Sequence, residues 1–293
     1  KTMDFYQKRK IFYLIAIVFL VIGLGSLAIQ GINKGIDFQS GTLVAVSFKS
    51  DVAMDQLRGV LKDYGLENSV ITQDGEGAYT IKAVEISQED QTKLLDGFTE
   101  KLGEYELQRV ESVGPTVGKE LTQNAILALA MASVLMIIYV SIRFRLKFAV
   151  SAVLCLLHDV LIMLSVFSLF QIEVESSFIA AILTIVGYSI NNTIVIFDRI
   201  RENMKLSPKA AIGELVNSSI GQSMTRSINM VVTVLAVLLC LLFLGGETTR
   251  ILALALVIGN VAGFYSSVFI SGNLWADLPI FAVLSLWNLF VIL

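Results

Sequence analysis

Two adjacent residues, His158 and Asp159, stand near the middle of the apolar run Phe148–Phe170. Ionisable groups in such a setting are costly and therefore mark functional sites by default. The imidazole can hydrogen-bond to the carboxylate or help it titrate, which suits a proton relay or coupling site. The alternative is that Asp159 ties helices together through hydrogen bonds. One His and one Asp fall short of a metal's ligand count, so no metal centre is expected. A second polar group interrupts the next apolar run: Gly187-Tyr188-Ser189-Ile190-Asn191-Asn192-Thr193. At about 1.5 Å per residue from Phe178, Asn192 lies ~21 Å into its span. Gly187 and Ser189 are small enough for close helix approach, and Asn191, Asn192 and Thr193 can hydrogen-bond across the contact. Asn191-Asn192-Thr193 also spells a glycosylation acceptor, discarded at this depth. Arg226, at the start of the following run, either snorkels to the interface or faces the bundle and pairs with these polar groups; the second reading is preferred. Asp198, Arg199, Arg201 and Glu202 follow the polar span and read as an anchor of positive charge with local ion pairs.

The chain that positions these residues has 293 of them, 55% hydrophobic and 16% charged, with a mean hydropathy of +0.74. That is too apolar for a soluble globule or a disordered chain. A net charge of −3 supplies no basic footprint, so nucleic acid is not expected as a partner. Cys155 and Cys240 both lie in apolar runs and read as small core residues.

A helix needs roughly 17–25 apolar residues to cross a bilayer. Six runs qualify: Ile11–Ile29, Ala125–Ile142, Phe148–Phe170, Phe178–Phe197, Ile228–Leu244 and Ile251–Ile270. Lys and Arg cluster before the first span, between the second and third (Arg143, Arg145, Lys147), and between the fourth and fifth (Arg199, Arg201, Lys205, Lys209). The alternate connections are not basic, which sets both termini on the cytoplasmic side. Residues 207–224 read as an amphipathic helix on that side. Pro279–Leu293 is apolar but short for a span, and is expected to lie at the interface or to dock.

Between the first two spans, residues 30–124 form a polar segment with 9 Lys/Arg and 16 Asp/Glu, a net of −7. Thr42–Phe48 alternates like a strand, and Val52, Met54, Leu57, Val60 and Leu61 recur at helical spacing. Ser69–Gln73 and Ala78–Val84 read as strands joined by the turn Asp74-Gly75-Glu76-Gly77. Ser87 and Asp90 open a second helix in capping-box fashion, ending at Gly103, and Tyr105–Val113 returns as a strand. The order β-α-β-β-α-β is the split ferredoxin-like arrangement. The expected architecture is an α-helical polytopic membrane protein with a small α+β ferredoxin-like extracytoplasmic domain: span one at 1–29, domain at 30–124, five further spans at 125–270, tail at 271–293.

Several stretches together resemble the SecF family, the smaller partners of SecD in the bacterial Sec protein-export machinery and members of the RND superfamily. They are Gly35-Ile-Asp37-Phe-Gln-Ser-Gly41-Thr42, Val113-Gly114-Pro115-x-Val117-Gly118, Arg143-Phe144, His158-Asp159, Gly187-Tyr188-Ser189-x-Asn191 and Phe197-Asp198-Arg199-Ile200-Arg201-Glu202-Asn203. The resemblance implies a six-span RND-type bundle in the bacterial cytoplasmic membrane. It further implies pairing with SecD as a separate or fused chain, the SecYEG channel and YajC as associates, and a translocating polypeptide as the client. It implies no cofactor and no enzymatic activity, and proton-motive-force-linked export as the function. Asp159, His158, Arg226 and Asn192 are then the proton-coupling candidates. The sequence departs from the family at Asn192, where an Asp is common, at Ser40, where Gly is common, and in its apolar tail, where a basic end is expected. The rival readings are a small RND-type exporter of lipids or hydrophobic compounds, and a translocon scaffold that transduces nothing.

Overall fold

The computed structural model describes residues 4–75, 77–144 and 146–279. Cα packing divides the chain into a unit at 34–126 and a helical unit made of 1–33 and 127–293. The expected role of Pro279–Leu293 falls, after Pro279, outside the described residues.

The smaller unit is built on strand β1 (Gly41–Phe48), which pairs antiparallel with β3 (Ala78–Ala83) on one side and β4 (Tyr105–Val113) on the other. β2 (Val70–Gly75) completes the sheet in the order β2-β3-β1-β4. Helices α3 (Met54–Asp63) and α4 (Gln88–Leu102) make the two crossovers, so the ferredoxin-like expectation holds for order and pairing. β1 is buried along nearly its whole length because both of its faces are used. Val44, Val46 and Phe48 join Leu57, Leu61, Leu94 and Phe98 in the main core. Leu43 and Ala45 pack on the other face against Ile36, from the four-residue helix α2 (Ile36–Gln39). Ser87 caps α4 by accepting from the Asp90 amide at 3.2 Å, but its hydroxyl in turn donates to the Asp90 carboxylate at 2.7 Å, so the reciprocal half of a capping box is replaced by a side-chain contact.

The first and last segments of this unit meet each other. A Cβ at Gly118 would come 3.3 Å from the Asp37 carbonyl oxygen, which explains a glycine there. Ser40 and Gly41 turn α2 into β1 with φ of 63° and 139°. A Cβ at Gly41 would strike the Ala83 carbonyl.

The helical unit contains α1 (Arg9–Gln30), most of α5 (Pro115–Arg143), α6 (Leu146–Leu169), α7 (Ser176–Leu206), α8 (Ile212–Leu244), α9 (Glu247–Tyr265), a π-helical turn (Ser266–Ser271) and α10 (Gly272–Asp277). Among the described residues, six helices are long and apolar enough to cross a membrane, the last running through the π turn to Asp277. The most apolar windows of α6, α7 and the last span are 44%, 50% and 50% buried, against 17%, 6% and 17% for α1, α5 and α8. The first three therefore form the interior, and the others present apolar faces outward. One expectation changes in form: residues 212–224 do not make a separate surface helix but run without a break into the fifth span as α8. No Pro or Gly pair interrupts the segment, so the 3.6-residue ladder continues across the change in polarity.

Candidate functional site

The interior helices carry an unusual load of small polar side chains, and Asp159 lies at their centre. Ser151, Cys155 and Asp159 are four residues apart on α6 and therefore share one face. All three are buried, Asp159 to 1% exposure. Its Oδ1 is 2.9 Å from His158 Nδ1. Its Oδ2 accepts from Ser189 Oγ of α7 at 2.5 Å and from Ser266 Oγ of the π turn at 2.9 Å. Three helices thus converge on one carboxylate. Gly263 makes room for this convergence: a Cβ there would lie 3.2 Å from Ser189 Cβ and 3.6 Å from Asp159 Oδ2. Gly259, one turn earlier, does the same against Ile185 and Met163, so the Gly259-x-x-x-Gly263 face packs as its spacing predicts.

Below Asp159 a ladder of hydroxyls continues along the same contact. Thr193 Oγ1 and Ser267 Oγ are 2.9 Å apart. Ser271 Oγ donates to the Ser267 carbonyl at 2.6 Å, and Ser151 Oγ donates to the Ser271 carbonyl at 2.7 Å. Asn192 is also buried, at 4% exposure, and its Oδ1 has no hydrogen-bond partner among the described residues.

The π turn is what brings Ser266 and Ser267 to bear on two neighbours at once. π turns are rare, and frequent at functional sites, because the extra residue re-aims the side chains that follow. Sequence reading passed over Ser266 and Ser271 as ordinary span residues. The available signal was Ser266-Ser267-x-x-x-Ser271, hydroxyls at helical spacing beginning three residues after the close-packing Gly263.

Other predicted residues do not join this centre. Arg226 is exposed on α8, where Ser223 and Ser227 take the inward face, so the expected pairing with the fourth span is not made. Its position in the helical repeat, one short of Ser227, turns it away. Asn191 is exposed and Gly187 has open space where a Cβ would be, so neither contributes to a helix contact among the described residues. Ser189, Asn192 and Thr193 face inward because they lie three and four residues apart; Gly187 and Asn191 fall on the opposite side of the same helix.

The basic segment after α7's polar stretch behaves as its composition predicts. Arg201 pairs with Asp198 at 3.1 Å and Arg199 with Glu202 at 2.6 Å, while Arg143 approaches Asp198 at 3.8 Å. These are exposed or half-exposed pairs worth little in stability. Arg199 and Asn203 also reach Gln222 of α8 at 2.6 and 3.0 Å, which ties α7 to the first turns of α8.

Chemically, the centre can hold a proton in either of two states. With Asp159 ionised, Ser189 and Ser266 both donate to it. With Asp159 protonated, its O–H needs an acceptor, and Ser266 can supply one because its own hydroxyl has a second acceptor 3.2 Å away, the Gly263 carbonyl. A rotation about one Cβ–Oγ bond therefore satisfies both protonation states.

A six-span helical membrane protein with a ferredoxin-like domain after its first span and a carboxylate buried among hydroxyls defines a narrow class. The family profile for the C-terminal part of the protein export membrane proteins SecD and SecF matches residues 94–279, and the SecD/SecF GG motif matches 25–52. The protein translocase subunit SecF of Acidaminococcus fermentans is 40% identical over 94% of this chain and 97% of its own length. The translocase subunit SecDF of Bacillus subtilis is 40% identical over 93% of this chain, which corresponds to 37% of that longer protein. The crystal structure of SecDF from Thermus thermophilus, a translocon-associated membrane protein, superposes with a TM-score of 0.83 at 34% identity, covering 98% of this chain and 39% of that one. This chain belongs to the SecD/SecF family of protein export membrane proteins.

Proposed function

We propose that the chain acts as the SecF-type subunit of a bacterial protein translocase, paired with SecD, and that Asp159 couples proton movement to a shift of α6 against α7 and the last span. The pairing is supported by the SecDF relatives, in which a segment like this chain is one part of a longer polypeptide. The observation that carries the coupling role is the convergence of three helices on one buried carboxylate whose hydrogen bonds can be satisfied with or without a proton. Protonation does work only if it favours one arrangement of the bundle over another. Here it removes the charge that holds Ser189 and Ser266 against α6, which loosens the contact.

In this reading the chain lies in the cytoplasmic membrane with both termini inside and residues 34–126 outside. There the acidic domain stands beside polypeptide emerging from a SecYEG-type channel, with YajC as a further associate. It is a transducer rather than an enzyme, and Asn192, which does not titrate, leaves Asp159 and acidic residues of SecD to carry protons.

The test is gentle co-purification of the tagged chain from its native membranes, followed by export assays on Asp159→Asn. Recovery of SecD and channel subunits, with an assembled but inactive complex in the variant, supports the coupling role. Normal export by assembled Asp159→Asn would leave a scaffold. Absence of any Sec subunit would favour a small exporter.

A further inference from the structure

The buried faces of the helical unit change in polarity near the level of Asp159. Toward the α7–α8 turn, the buried face of α8 carries Ser219, Ser223 and Ser227 in successive turns; in the other direction it continues as Val231 and Leu238. The last span makes the same change, from Ala255 and Ala262 to Ser266, Ser267 and Ser271. So does α6, from Met163 and Phe167 to Cys155 and Ser151. On the apolar side the contact is sealed. Met163 and Ile185 close on Gly259, and the Phe167 and Phe178 rings are 4.3 Å apart.

On the polar side two buried oxygens have no hydrogen-bond partner among the described residues: Asn192 Oδ1 of α7 and Ser227 Oγ of α8, in residues 4% and 1% exposed. The 2.9 Å bond from Asn203 Nδ2 to Ser219 Oγ ties the same two antiparallel helices nearer their turn and fixes the register. At about 1.5 Å per residue, Asn192 stands ~16 Å from that bond along α7 and Ser227 ~12 Å along α8, so the two lie within one turn of each other. In hydrocarbon a polar group must be satisfied inside the protein. Buried water does this where it finds about two to four polar partners. We propose that water molecules occupy the seam between α7, α8 and the last span, bridging Asn192 and Ser227, and that they form the inner limb of a proton path to Asp159.

The links of the path are short. Ser189, which donates to Asp159, and Thr193 are one turn apart on α7, about 6 Å, a gap that one water spans with two ordinary hydrogen bonds. Thr193 Oγ1 and Ser267 Oγ, 2.9 Å apart, keep lone pairs free to accept from it. From Ser227 the stripe on α8 leads through Ser223 to Ser219, whose partner Asn203 also reaches Gln222 at the exposed end. In release, the proton on Asp159 passes to the file, each water or hydroxyl taking one proton and giving one up. One proton leaves at the Asn203 end, and Asp159 is left ionised with Ser189 and Ser266 donating to it. The sealed side carries no such file, so in this arrangement the path joins Asp159 to the end of the bundle that bears the α7–α8 turn. A bridging water offsets only part of the cost of burying Asn192, because holding it in place costs up to about 2 kcal/mol.

The water stands on the buried oxygens alone; its use as a proton path rests on the reading above, in which Asp159 carries protons and the α7–α8 turn is cytoplasmic. The experiment is hydroxyl-radical footprinting of the chain with SecD in nanodiscs, mapped by mass spectrometry. An X-ray pulse makes the radicals from water in place, so a buried side chain beside water oxidises and a dry one does not. Isoleucines of equal burial supply the comparison. Ile196, one turn from Asn192, and Ile220, two turns from Ser227, lie on the polar side; Ile182 and Ile185 lie on the sealed side, and all four are 2% exposed or less. Ile196 and Ile220 are expected to oxidise at least about fivefold faster than Ile182 and Ile185, since radicals arise only where water is held. Asn192→Val is expected to bring Ile196 down to the rate of Ile185, and Ser227→Val decides the matter if that variant fails to assemble. Equal oxidation of the two pairs in the unaltered protein overturns the water file, whatever Asp159→Asn does to export. Fast oxidation of Ile196 together with normal export by assembled Asp159→Asn overturns its use as a proton path.

Discussion

Ser266 Oγ sits 2.9 Å from Asp159 Oδ2 and 3.2 Å from the Gly263 carbonyl, so one hydroxyl stands between a buried carboxylate and a backbone acceptor. It is placed there by a π turn in the last span, 107 residues downstream of the carboxylate it serves. The relationship joins chemistry to movement: any sliding of the last span along α6 changes which acceptor the hydroxyl reaches.

Ser266→Ala should therefore separate stability from function. It removes one of two serine donors to a buried carboxylate, a loss of about 1–3 kcal/mol. Complex yield should hold while proton-driven export falls and its pH profile moves. Ser266→Thr, which keeps the hydroxyl, should restore both. Export unaffected by Ser266→Ala would remove Ser266 from the centre.

Asn192 makes the opposite prediction. Its buried Oδ1 lacks a partner among the described residues, and a buried polar atom left unsatisfied costs about 1–3 kcal/mol. Asn192→Val, apolar and only modestly larger, should raise the thermal midpoint of the detergent-solubilised protein. If export drops at the same time, the amide serves function rather than folding.

Ser40→Gly should stabilise the smaller unit. Ser40 holds φ 63° and ψ 159°, a region essentially reserved for glycine, where another residue costs of order 1–3 kcal/mol. Denaturant unfolding followed by hydrogen exchange in β1 should show slower opening in the variant. Gly41→Ala should do the reverse, because its Cβ meets the Ala83 carbonyl.

On the acidic surface, the Lys49–Glu104 pair has a defined pH dependence for both partners. Lys49 Nζ donates to Glu104 at 2.7 Å and, through that bond and its charge, holds the Glu104 carboxyl below its ordinary value, while Glu104 raises Lys49. A depressed carboxyl contributes stability above its unfolded value, about 4.3, and loses it as pH falls through the lower folded value. Both groups are exposed, so the effect on folding is small. NMR titration of the Glu104 carboxyl should show its midpoint rising toward the ordinary value in Lys49→Gln.

How much of this was legible in the residues depends on the range of the interaction. The six spans, the strand order and the cap at Ser87 follow from runs, alternation and local hydrogen bonding. His158 and Asp159 announce themselves because charge within an apolar run has few other uses. Ser189, Asn192 and Thr193 stood out as a group, but their shared stretch did not reveal that Gly187 and Asn191 point the other way. Arg226 looked like a partner for them because charge balance is visible in sequence while helix rotation is not.

What the sequence by itself determined is the set of elements, since helix formation in an apolar solvent and strand alternation are local and leave the backbone few alternatives. What only the tertiary structure decided is which polar groups share a centre. Ser266, Ser189 and Asp159 are far apart in the chain, and they meet because small residues such as Gly263 let three helices approach and a π turn shifts the phase of the last. That phase is set by packing against neighbours, and no local pattern encodes it.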